Sequence, residues 1–438
     1  MKVFSFKGGI HPPERKDYTA HLALEKAKEP EIVEIPLQQH IGAPCNAVVK
    51  VGDLVKVGEK IGEAGGFVSA PVHASVSGTV REIAMKPAAN GEVLTVVIVS
   101  DGKNEVHESV NKKGSIENLS GDEIKEIIKE AGIVGMGGAT FPTHVKLSPP
   151  PDKAIDTVIL NGAECEPYLT ADHRLMVEHP NEVVGGLKAI MKVLNVTTGY
   201  IGIENNKPDA IEIMQKSVEN EENIQIVVLQ TKYPQGAEKQ LIDACTGRIV
   251  PSGALPMEVG VVVNNIGTAY QIHQSIETGM PLIERVTTLS GGILQSPKNL
   301  WVKIGTPVNE LVEQCGGLKE PAGKIIMGGP MMGMAVSTDK LPITKGSSGV
   351  LFFNREEGTI PEPENCIRCS ACVDICPVYL QPLYISAYTL VDNIDMAEKF
   401  YPMDCIECGS CSYICPSKRP LLQSIRIAKG EIQARNRK

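Results

Sequence analysis

The sequence predicts a multidomain chain that combines α/β and α+β folds. Three observations support this prediction. Strand-like and helix-like segments alternate over residues 115–289, short strand-like runs between glycines lie on both sides of that region, and two cysteine-rich blocks follow it. A chain of 438 residues is also longer than one hydrophobic core usually supports, so we expect several domains.

The composition limits the functional classes. The chain is 42% hydrophobic and 22% charged, which is ordinary for a globular protein. Its formal net charge of −9 gives no basic excess for a phosphate backbone, so we expect no nucleic-acid partner. No apolar run approaches the roughly 20 residues of a membrane span, and the first residues do not resemble a secretory signal. We therefore expect neither an integral membrane protein nor a secreted one, whereas a peripheral membrane association stays open.

The predicted domains are an arm over 1–30, a small β domain over 31–110, an α/β domain over 115–289, a β-grasp-like module over 290–350, a cysteine-rich domain over 356–420 and a basic tail over 421–438. The small β domain resembles the biotinyl/lipoyl-type barrel-sandwich fold, because its strands are short and its turns frequent. We expect no Met-Lys pair at its hairpin tip, where such domains carry a prosthetic group, and predict a structural role. The basic tail is either a solvated helix end or a docking segment for an anionic membrane or subunit.

Local signals in the α/β domain agree with one another. The segment from Ser120 to Glu123 has the form of a capping box and opens a helix with its isoleucines on one face. Strands are predicted over 157–160, 200–203, 224–229 and 259–263, and helices over 181–194, 209–217, 237–244 and 268–276. Such alternation indicates a mostly parallel sheet that is covered on both faces.

The two cysteine blocks share the spacing C-x2-C-x2-C-x3-C-P, which bacterial ferredoxins use for four-iron cubanes. In this pattern the first three thiolates of a block bind one cluster, and the fourth points away and binds the other. We therefore predict two 4Fe–4S ligand sets, one of Cys366, Cys369, Cys372 and Cys415, and one of Cys405, Cys408, Cys411 and Cys376. The alternatives are zinc, whose knuckles usually lack the third cysteine and the proline, and disulfides, which need an oxidising compartment. We expect the isolated Cys45, Cys245 and Cys315 to be buried thiols.

A glycine-rich segment over 132–143 is a candidate phosphate-binding loop. Because glycine has no Cβ, backbone N–H groups in such a run can approach a phosphate closely. The segment departs from the usual dinucleotide fingerprint, since it follows a helix and has Thr140 at the third glycine position. An ordinary glycine-rich turn is therefore an equal alternative.

Polar side chains follow two of the predicted strands. Asn161, Glu164 and Glu166 come directly after the first strand, and Asn265 and Thr268 follow another. Ligands bind at the carboxyl ends of parallel strands, so these side chains and the glycine loop together suit one nucleotide-like ligand. The alternative interpretation is that the asparagines merely cap helices.

Four motifs in this region resemble the flavin-bearing, NADH-oxidising subunit of respiratory complex I. They span Gly135–Thr143, Asn161–Pro167, Tyr233–Lys239 and Asn264–Thr268. The start from Gly8 to Pro13, the barrel-sandwich segment and the doubled cysteine motif are similar to the RnfC family, whose members are subunits of Rnf electron-transport complexes. This second likeness covers essentially the whole chain.

The resemblance implies a Rossmann- or flavodoxin-like domain that holds non-covalent FMN, with NAD(H) as the substrate that stacks on it, and a soluble-ligand-binding β-grasp module. Carried over position by position, the residues at FMN are Gly135, Gly137, Lys146, Asn161, Glu164, Glu238, Asn265 and Thr268. The residues near NADH are Phe141, Glu166 and Lys239. Ala163 stands where the complex I subunit has an acidic residue.

The resemblance also implies a peripheral subunit on the cytoplasmic side of the cell membrane. Its partners would be the other Rnf-type subunits, including membrane-embedded ones and a ferredoxin-like iron–sulfur subunit, in an ion-translocating ferredoxin:NAD oxidoreductase that moves Na+ or H+. A hydride carries two electrons and a cubane accepts one, so a flavin is needed between them. Two alternatives stay open, a cobalamin reductase-like flavo-iron–sulfur protein of a bacterial microcompartment and a non-catalytic electron-wire subunit without a nicotinamide site.

Overall fold

The N-terminal arm lies along the α/β domain. In the computed structural model, which describes residues 2–89 and 91–436, the backbone of Phe4 bridges to Leu229 and that of Ile10 to Tyr233. The arm then adds a short strand, β1 (Glu25–Lys26), to the sheet of the β-grasp module. The arm therefore joins two domains through backbone hydrogen bonds.

The barrel sandwich predicted for residues 31–110 consists of two small antiparallel sheets. Its strands are β2 (Ile32–Pro36), β3 (Asn46–Ala47), β4 (Leu54–Val55), β5 (Lys60–Glu63), β6 (Val72–His73), β7 (Gly78–Ala88) and β8 (Gly91–Ser100). The sheet orders are β2-β8-β7-β4 and β3-β5-β6. Alternate residues such as Val33, Ile35 and Ile98 fill the shared core, as the two-residue period of a strand requires.

A Met-Lys pair does occur in the β7–β8 hairpin, at Met85 and Lys86, but it lies within β7 and not at the tip. The Lys86 ammonium forms ion pairs with Glu34 and Glu82 at 3.5 and 3.0 Å. Ala88 and Gly91 are the last residues that pair before the tip of the hairpin.

The α/β domain contains the predicted parallel sheet, in the order β11-β10-β9-β12. Its elements are α1 (Gly121–Glu130), α2 (Thr143–Lys146), β9 (Thr157–Gly162), α3 (Ala171–Glu178), α4 (Pro180–Leu194), β10 (Thr198–Glu204), α5 (Pro208–Ser217), β11 (Ile224–Leu229), α6 (Glu238–Thr246), β12 (Val261–Asn265) and α7 (Ile266–Glu277). The capping box at Ser120 is present and starts α1. Helix α3 was not predicted.

Helices cover both faces of this sheet. Val158 and Leu160 of β9 pack into one core with α4 and α7, whereas Ile159 packs into a second core with α6 on the other face. A strand that is buried on both sides reads as a continuous apolar run, which explains the Thr157–Leu160 pattern.

The β-grasp module is a six-stranded mixed sheet in the order β1-β14-β13-β17-β15-β16. Its elements are β13 (Glu284–Ser290), β14 (Lys298–Lys303), α8 (Val308–Gln314), β15 (Lys324–Met327), β16 (Met334–Val336) and β17 (Gly349–Phe353). The predicted limits of 290 and 350 fall inside β13 and β17. Both strands pair with each other and with the rest of this sheet, so the module extends beyond the predicted limits at both ends.

The cysteine-rich domain is built from short helices around a small core. Helix α9 (Arg355–Gly358) packs against β17 of the β-grasp module. The helices of the cysteine-rich domain are α10 (Ala371–Asp374), α11 (Pro382–Thr389), α12 (Ile394–Glu398), α13 (Ser410–Ile414) and α14 (Leu421–Asn436). Helix α14 occupies most of the predicted basic tail, and its Leu421, Ile425 and Ala428 belong to the domain core. The basic residues Arg437 and Lys438 lie outside the described residues.

The described basic side chains of α14 pair with acidic ones of the same domain. Lys429 and Arg426 contact Glu407 at 2.6 and 2.8 Å, and Arg435 contacts Asp395 at 2.6 Å. Within the described part of the chain, no helix combines the length and the apolar character that crossing a membrane requires.

Lys16 anchors the arm to the segment that follows β9. Its ammonium is buried and donates hydrogen bonds to the backbone carbonyls of Glu164, Glu166 and Leu169. Burial is the main cause that lowers the pKa of Lys16, and the nearby Lys207 adds to it. A segment with little regular structure of its own is thereby held by one side chain.

We expect Lys16→Met to destabilise the protein on the order of 2 kcal/mol, because the variant leaves buried carbonyls without a donor. The thermal unfolding midpoint should fall by several degrees. The exposed Lys28→Met in the same arm is the control. Equal midpoints for the two variants would contradict the anchoring role of Lys16.

Candidate functional site

The glycine-rich segment forms a closed loop between α1 and α2. The N–H of Gly135 donates to the carbonyl of Phe141 at 2.9 Å, and Val134 bridges to Pro142. Thr140 has a φ of 53°, which is the left-handed region that glycine usually occupies. The third glycine position of the fingerprint therefore keeps a glycine-like backbone although the residue is threonine.

Two residues hold the loop at Met136. The Thr268 hydroxyl accepts the N–H of Met136 at 3.0 Å and lies 3.3 Å from the carbonyl of Val134, to which it donates. The Arg285 guanidinium, from β13 of the β-grasp module, donates to the carbonyl of Met136 at 3.2 Å and to that of Lys345 at 2.6 Å. Thr268 was predicted, whereas Arg285 carries no motif or spacing that would have identified it.

Asn161 and Asn265 lie side by side, because β9 and β12 are parallel neighbours and these two residues share a register position. Asn161 donates to the carbonyl of Gly236 at 2.8 Å. A Cβ on Gly137 would lie only 2.6 Å from Nδ2 of Asn265, so the loop packs against this strand end as glycine alone allows. Asn265 also caps α7 through the N–H of Gly267, so the capping interpretation holds for one of its atoms.

Two carboxyl groups meet beside these asparagines. Glu164 accepts the N–H groups of Asp172 and His173 at 2.8 and 3.2 Å, at the start of α3. Asp172 accepts a hydrogen bond of 2.6 Å from Asn265. Burial, followed by the nearby Glu164, raises the pKa of Asp172 to about 7. The site therefore contains a carboxyl group whose pKa is raised above its ordinary value. Sequence analysis missed it because one aspartate inside a helix has no distinguishing pattern.

Lys146 and Glu238 come together from α2 and the start of α6. Their side chains form an ion pair of 2.6 Å and are 32% and 40% exposed. Both were predicted at FMN. Lys239, predicted near NADH, is turned to the carbonyl of Pro251 at 3.4 Å on the outside of α6. Phe141 lies half-buried in the glycine loop.

Glu166 connects the α/β domain to the β-grasp module. Its carboxylate accepts the N–H groups of Met331 and Met332 at 3.0 and 2.8 Å, and Gly329 packs so closely that a Cβ would lie 2.2 Å from Oε2. Burial raises the pKa of Glu166 to about 7, although the two N–H donors act in the opposite direction. Both carboxylate oxygens already have backbone partners. The contact of Glu166 with NADH stays a prediction.

Four cysteines surround one cavity in the cysteine-rich domain. Cys366, Cys369, Cys372 and Cys415 line it together, and we call them the distal set. Cys366 and Cys369 are exposed. The fourth member comes from the other sequence block, as the ferredoxin spacing predicts.

The remaining four cysteines, Cys376, Cys405, Cys408 and Cys411, form a second group that we call the proximal set. Burial raises the pKa of Cys411 to about 12, and the neighbouring thiols of Cys408, Cys405 and Cys376 add to this effect in that order. Three of the four are buried. Eight thiols in two groups of four match the ligand number of two cubanes.

Among the described residues, no three or more His, Cys, Asp or Glu side chains are placed to hold a single metal ion. A cubane spreads its thiolate ligands around a cage of iron and sulfide atoms. This result therefore concerns only the alternative in which the cysteines bind a single zinc ion. The assignment of individual cysteines to the two cubanes stays a prediction.

A short segment joins the proximal set to the strand ends. The Tyr233 hydroxyl donates to the carbonyl of Cys408 at 2.9 Å. Three residues further on, the N–H of Gly236 contacts the Cys165 thiol at 3.2 Å, and its carbonyl accepts from Asn161. The segment Tyr233–Gly236 therefore runs from one candidate cofactor site to the other.

The sequence matches four family models in succession. They describe the RnfC barrel sandwich hybrid domain (residues 4–103), the Nuo51 FMN-binding domain (128–274), the SLBB domain (286–335) and a 4Fe-4S dicluster domain (362–419). These matches confirm the predicted fold class. The FMN-binding and dicluster matches confirm the predicted cofactors, FMN and 4Fe–4S clusters.

Two curated relatives align over nearly their whole lengths. The C subunit of the Na(+)-translocating ferredoxin:NAD(+) oxidoreductase complex of Acetobacterium woodii is 53% identical over 100% of this chain and 99% of its own. The C subunit of the proton-translocating complex of Clostridium ljungdahlii is 51% identical over 98% of this chain and 94% of its own. The resemblance found in the sequence is thereby confirmed.

A solved structure shares the fold at low sequence identity. The crystal structure of an NAD+-reducing NiFe hydrogenase in the air-oxidised state aligns with a TM-score of 0.51 and 16% identity. The alignment covers 70% of this chain and 63% of that chain.

We expect Thr268→Val to weaken FMN binding about tenfold, because valine keeps the volume but removes the acceptor for Met136 N–H. Flavin fluorescence during dilution measures the affinity. Thr278→Val, at the exposed end of the same helix, is the matched control. An unchanged affinity in Thr268→Val would show that the loop does not depend on this hydroxyl.

Glu166 should make stability depend on pH. Its folded-state pKa is raised to about 7 from the ordinary value of 4.5, so between these values the unfolded state releases a proton that the folded state keeps, and stability falls as pH rises. Relative to the unmodified protein, Glu166→Gln should gain roughly 2–3 kcal/mol between pH 5 and pH 8. Thermal unfolding at both pH values measures this, with the exposed Glu219→Gln as control. Parallel pH profiles for all three proteins would contradict the assignment.

Proposed function

The chain belongs to the RnfC family of subunits of ion-translocating ferredoxin:NAD(+) oxidoreductase complexes, and from this premise we propose that it relays electrons between NAD(H) and the other subunits. The electrons would pass through FMN, then through the cluster bound by the proximal set, and then through the cluster bound by the distal set. When bound, FMN exchanges a hydride with NAD(H) and single electrons with a 4Fe–4S cluster. The residues of this chain hold the cofactors at fixed positions and leave one end of the relay open.

The glycine loop and the strand ends form the proposed FMN site. The loop is held by Thr268 and Arg285 at Met136, and Asn161 and Asn265 stand next to it. Gly138 has open space where a Cβ would be, so a ligand can approach the backbone there. The residues present therefore fit a flavin nucleotide.

Lys146 supplies the positive charge of this site in the proposal. Its ion pair with Glu238 is partly exposed, and a basic group near a flavin favours the reduced, more negative form. The carboxyl of Asp172 accepts a hydrogen bond from Asn265, and burial raises its pKa. No general base is required, since hydride transfer removes no proton from a substrate hydroxyl.

The different positions of the two cysteine sets are the observation that carries the proposal. The proximal set contacts the α/β domain through Tyr233 and through Gln240, whose amide donates to the carbonyl of Pro377 at 3.0 Å. The distal set has two exposed cysteines, Cys366 and Cys369. Electrons that leave the flavin would therefore meet the buried cluster first and the exposed cluster last, where a partner subunit can approach.

The relatives support the wider setting of this proposal. Their names describe complexes that translocate Na+ in one case and protons in the other. We propose that this chain is likewise a peripheral subunit on the cytoplasmic side of the cell membrane, bound to membrane-embedded subunits and to a ferredoxin-like iron–sulfur subunit. The coupled ion would be Na+ or H+.

Ligand substitutions in the two sets should separate the steps of the relay. We expect Cys366→Ser and Cys405→Ser each to lose about half of the iron and to keep FMN, because the flavin site lies in another domain. After rapid anaerobic mixing with NADH, the remaining proximal cluster of Cys366→Ser should still be reduced through the flavin. The remaining distal cluster of Cys405→Ser should be reduced much more slowly.

Optical absorbance of the flavin and electron paramagnetic resonance of the clusters follow these steps. Loss of flavin with full iron content in either variant would contradict the assignment of the sites to separate domains. A flavin that NADH does not bleach would favour the electron-wire alternative.

A further inference from the structure

Gln235 has a buried side-chain amide without any hydrogen-bond partner. The residue has no exposed surface, and both its Nε2 and its Oε1 lack partners among the described residues. Leaving such a group unpaired costs about 1–3 kcal/mol, and buried polar side chains in folded proteins nearly always have a partner. The amide therefore points to a partner that is not part of the polypeptide.

Within the proposed relay, two cofactors are candidate partners for the Gln235 amide. Gln235 lies within the segment Tyr233–Gly236, whose first residue bonds to the backbone of Cys408 and whose last residue bonds to Asn161. A cluster in the proximal set lies at one end of this segment and FMN at the other. The inference rests on the proposed function for both positions.

Burial favours the cluster. Two side chains of the proposed flavin site, Lys146 and Glu238, are partly exposed, at 32% and 40%. Three of the four proximal cysteines are enclosed, with exposures of 7% for Cys376, 7% for Cys408 and 8% for Cys411. The Gln235 side chain has no exposed surface, so we expect it beside the enclosed proximal cysteines and not beside the more open flavin site.

The chemistry of the amide also suits a cluster. An amide N–H is a donor, and the sulfides and thiolates of a cubane are acceptors whose hydrogen bonds help to set its reduction potential. We infer that Gln235 donates an N–H···S hydrogen bond to the proximal 4Fe–4S cluster and thereby raises its reduction potential. The donor stabilises the reduced cluster more than the oxidised one, because the reduced cluster carries one more negative charge.

Gln235→Met tests this inference, because methionine has a similar length and no N–H donor. At a fixed ambient potential, the ratio of reduced to oxidised proximal cluster should fall about tenfold, which corresponds to about 59 mV for a one-electron couple. Potentiometric titration followed by electron paramagnetic resonance measures the ratio. The titration is made in a Cys366→Ala, Cys369→Ala background, so that the proximal cluster is the one observed.

Gln240→Met is the matched control. Gln240 is also buried at the same domain interface, but its Nε2 already bonds to the carbonyl of Pro377. Its substitution should leave the potential of the proximal cluster unchanged. Equal shifts in both variants would show a packing effect and overturn the inference, as would an unchanged potential in Gln235→Met or a shift of the flavin potential alone.

A second measurement covers the case in which Gln235→Met does not assemble the cluster. In the Gln240→Met protein with glutamine side-chain amides labelled with 15N, electron–nuclear double resonance should detect a nitrogen coupled to the reduced proximal cluster. Absence of the coupling would overturn the inference. Failure of the ligand assignment is separate from this result, because in that case the iron content of the unmodified protein itself would be too low for two cubanes.

Discussion

A hydrogen bond of 2.9 Å from the Tyr233 hydroxyl to the carbonyl of Cys408 fixes the cysteine-rich domain against the α/β domain. Electron transfer between two bound cofactors requires that their separation stays short and constant. This contact therefore constrains the relative positions of the two domains. The segment that carries Tyr233 also contacts Asn161 through Gly236. The two proposed cofactor sites, on different domains, thus share one short piece of backbone.

Buried lysines hold the surroundings of this segment. Lys16 bonds to the backbone after β9, Lys207 bonds to the carbonyl of Ala163 at 2.6 Å, and Lys232 bonds to the carbonyls of Phe6 and Gly8. Each ammonium satisfies backbone acceptors that regular secondary structure leaves free. The arm is therefore part of the structural support for the site, which agrees with its antiparallel contact between Ile10 and Tyr233.

Sequence reasoning predicted the features that depend on a repeated or periodic pattern of residues. The cysteine spacing predicted two sets of ligands, and Cys366, Cys369, Cys372 and Cys415 do line one cavity. The alternation of strands and helices predicted the parallel sheet that places Asn161 beside Asn265. Arg285, Asp172 and Gln235 were not predicted, because each acts alone and acquires its role from contacts that are distant in sequence. The limits of the β-grasp module were misplaced for a related reason, since β13 and β17 become part of one sheet only through their pairing with each other.

In the proposed relay, one polypeptide holds a flavin that faces NAD(H) together with two cubanes that accept its electrons singly. Anaerobic purification with quantified iron, sulfide and flavin, followed by an optical titration with NADH, tests this most directly. We expect about eight iron and eight sulfide atoms for each FMN, and bleaching of both the flavin and the cluster absorbance by NADH. A preparation that contains zinc in place of iron, or a bound flavin that NADH leaves oxidised, would contradict the proposed relay.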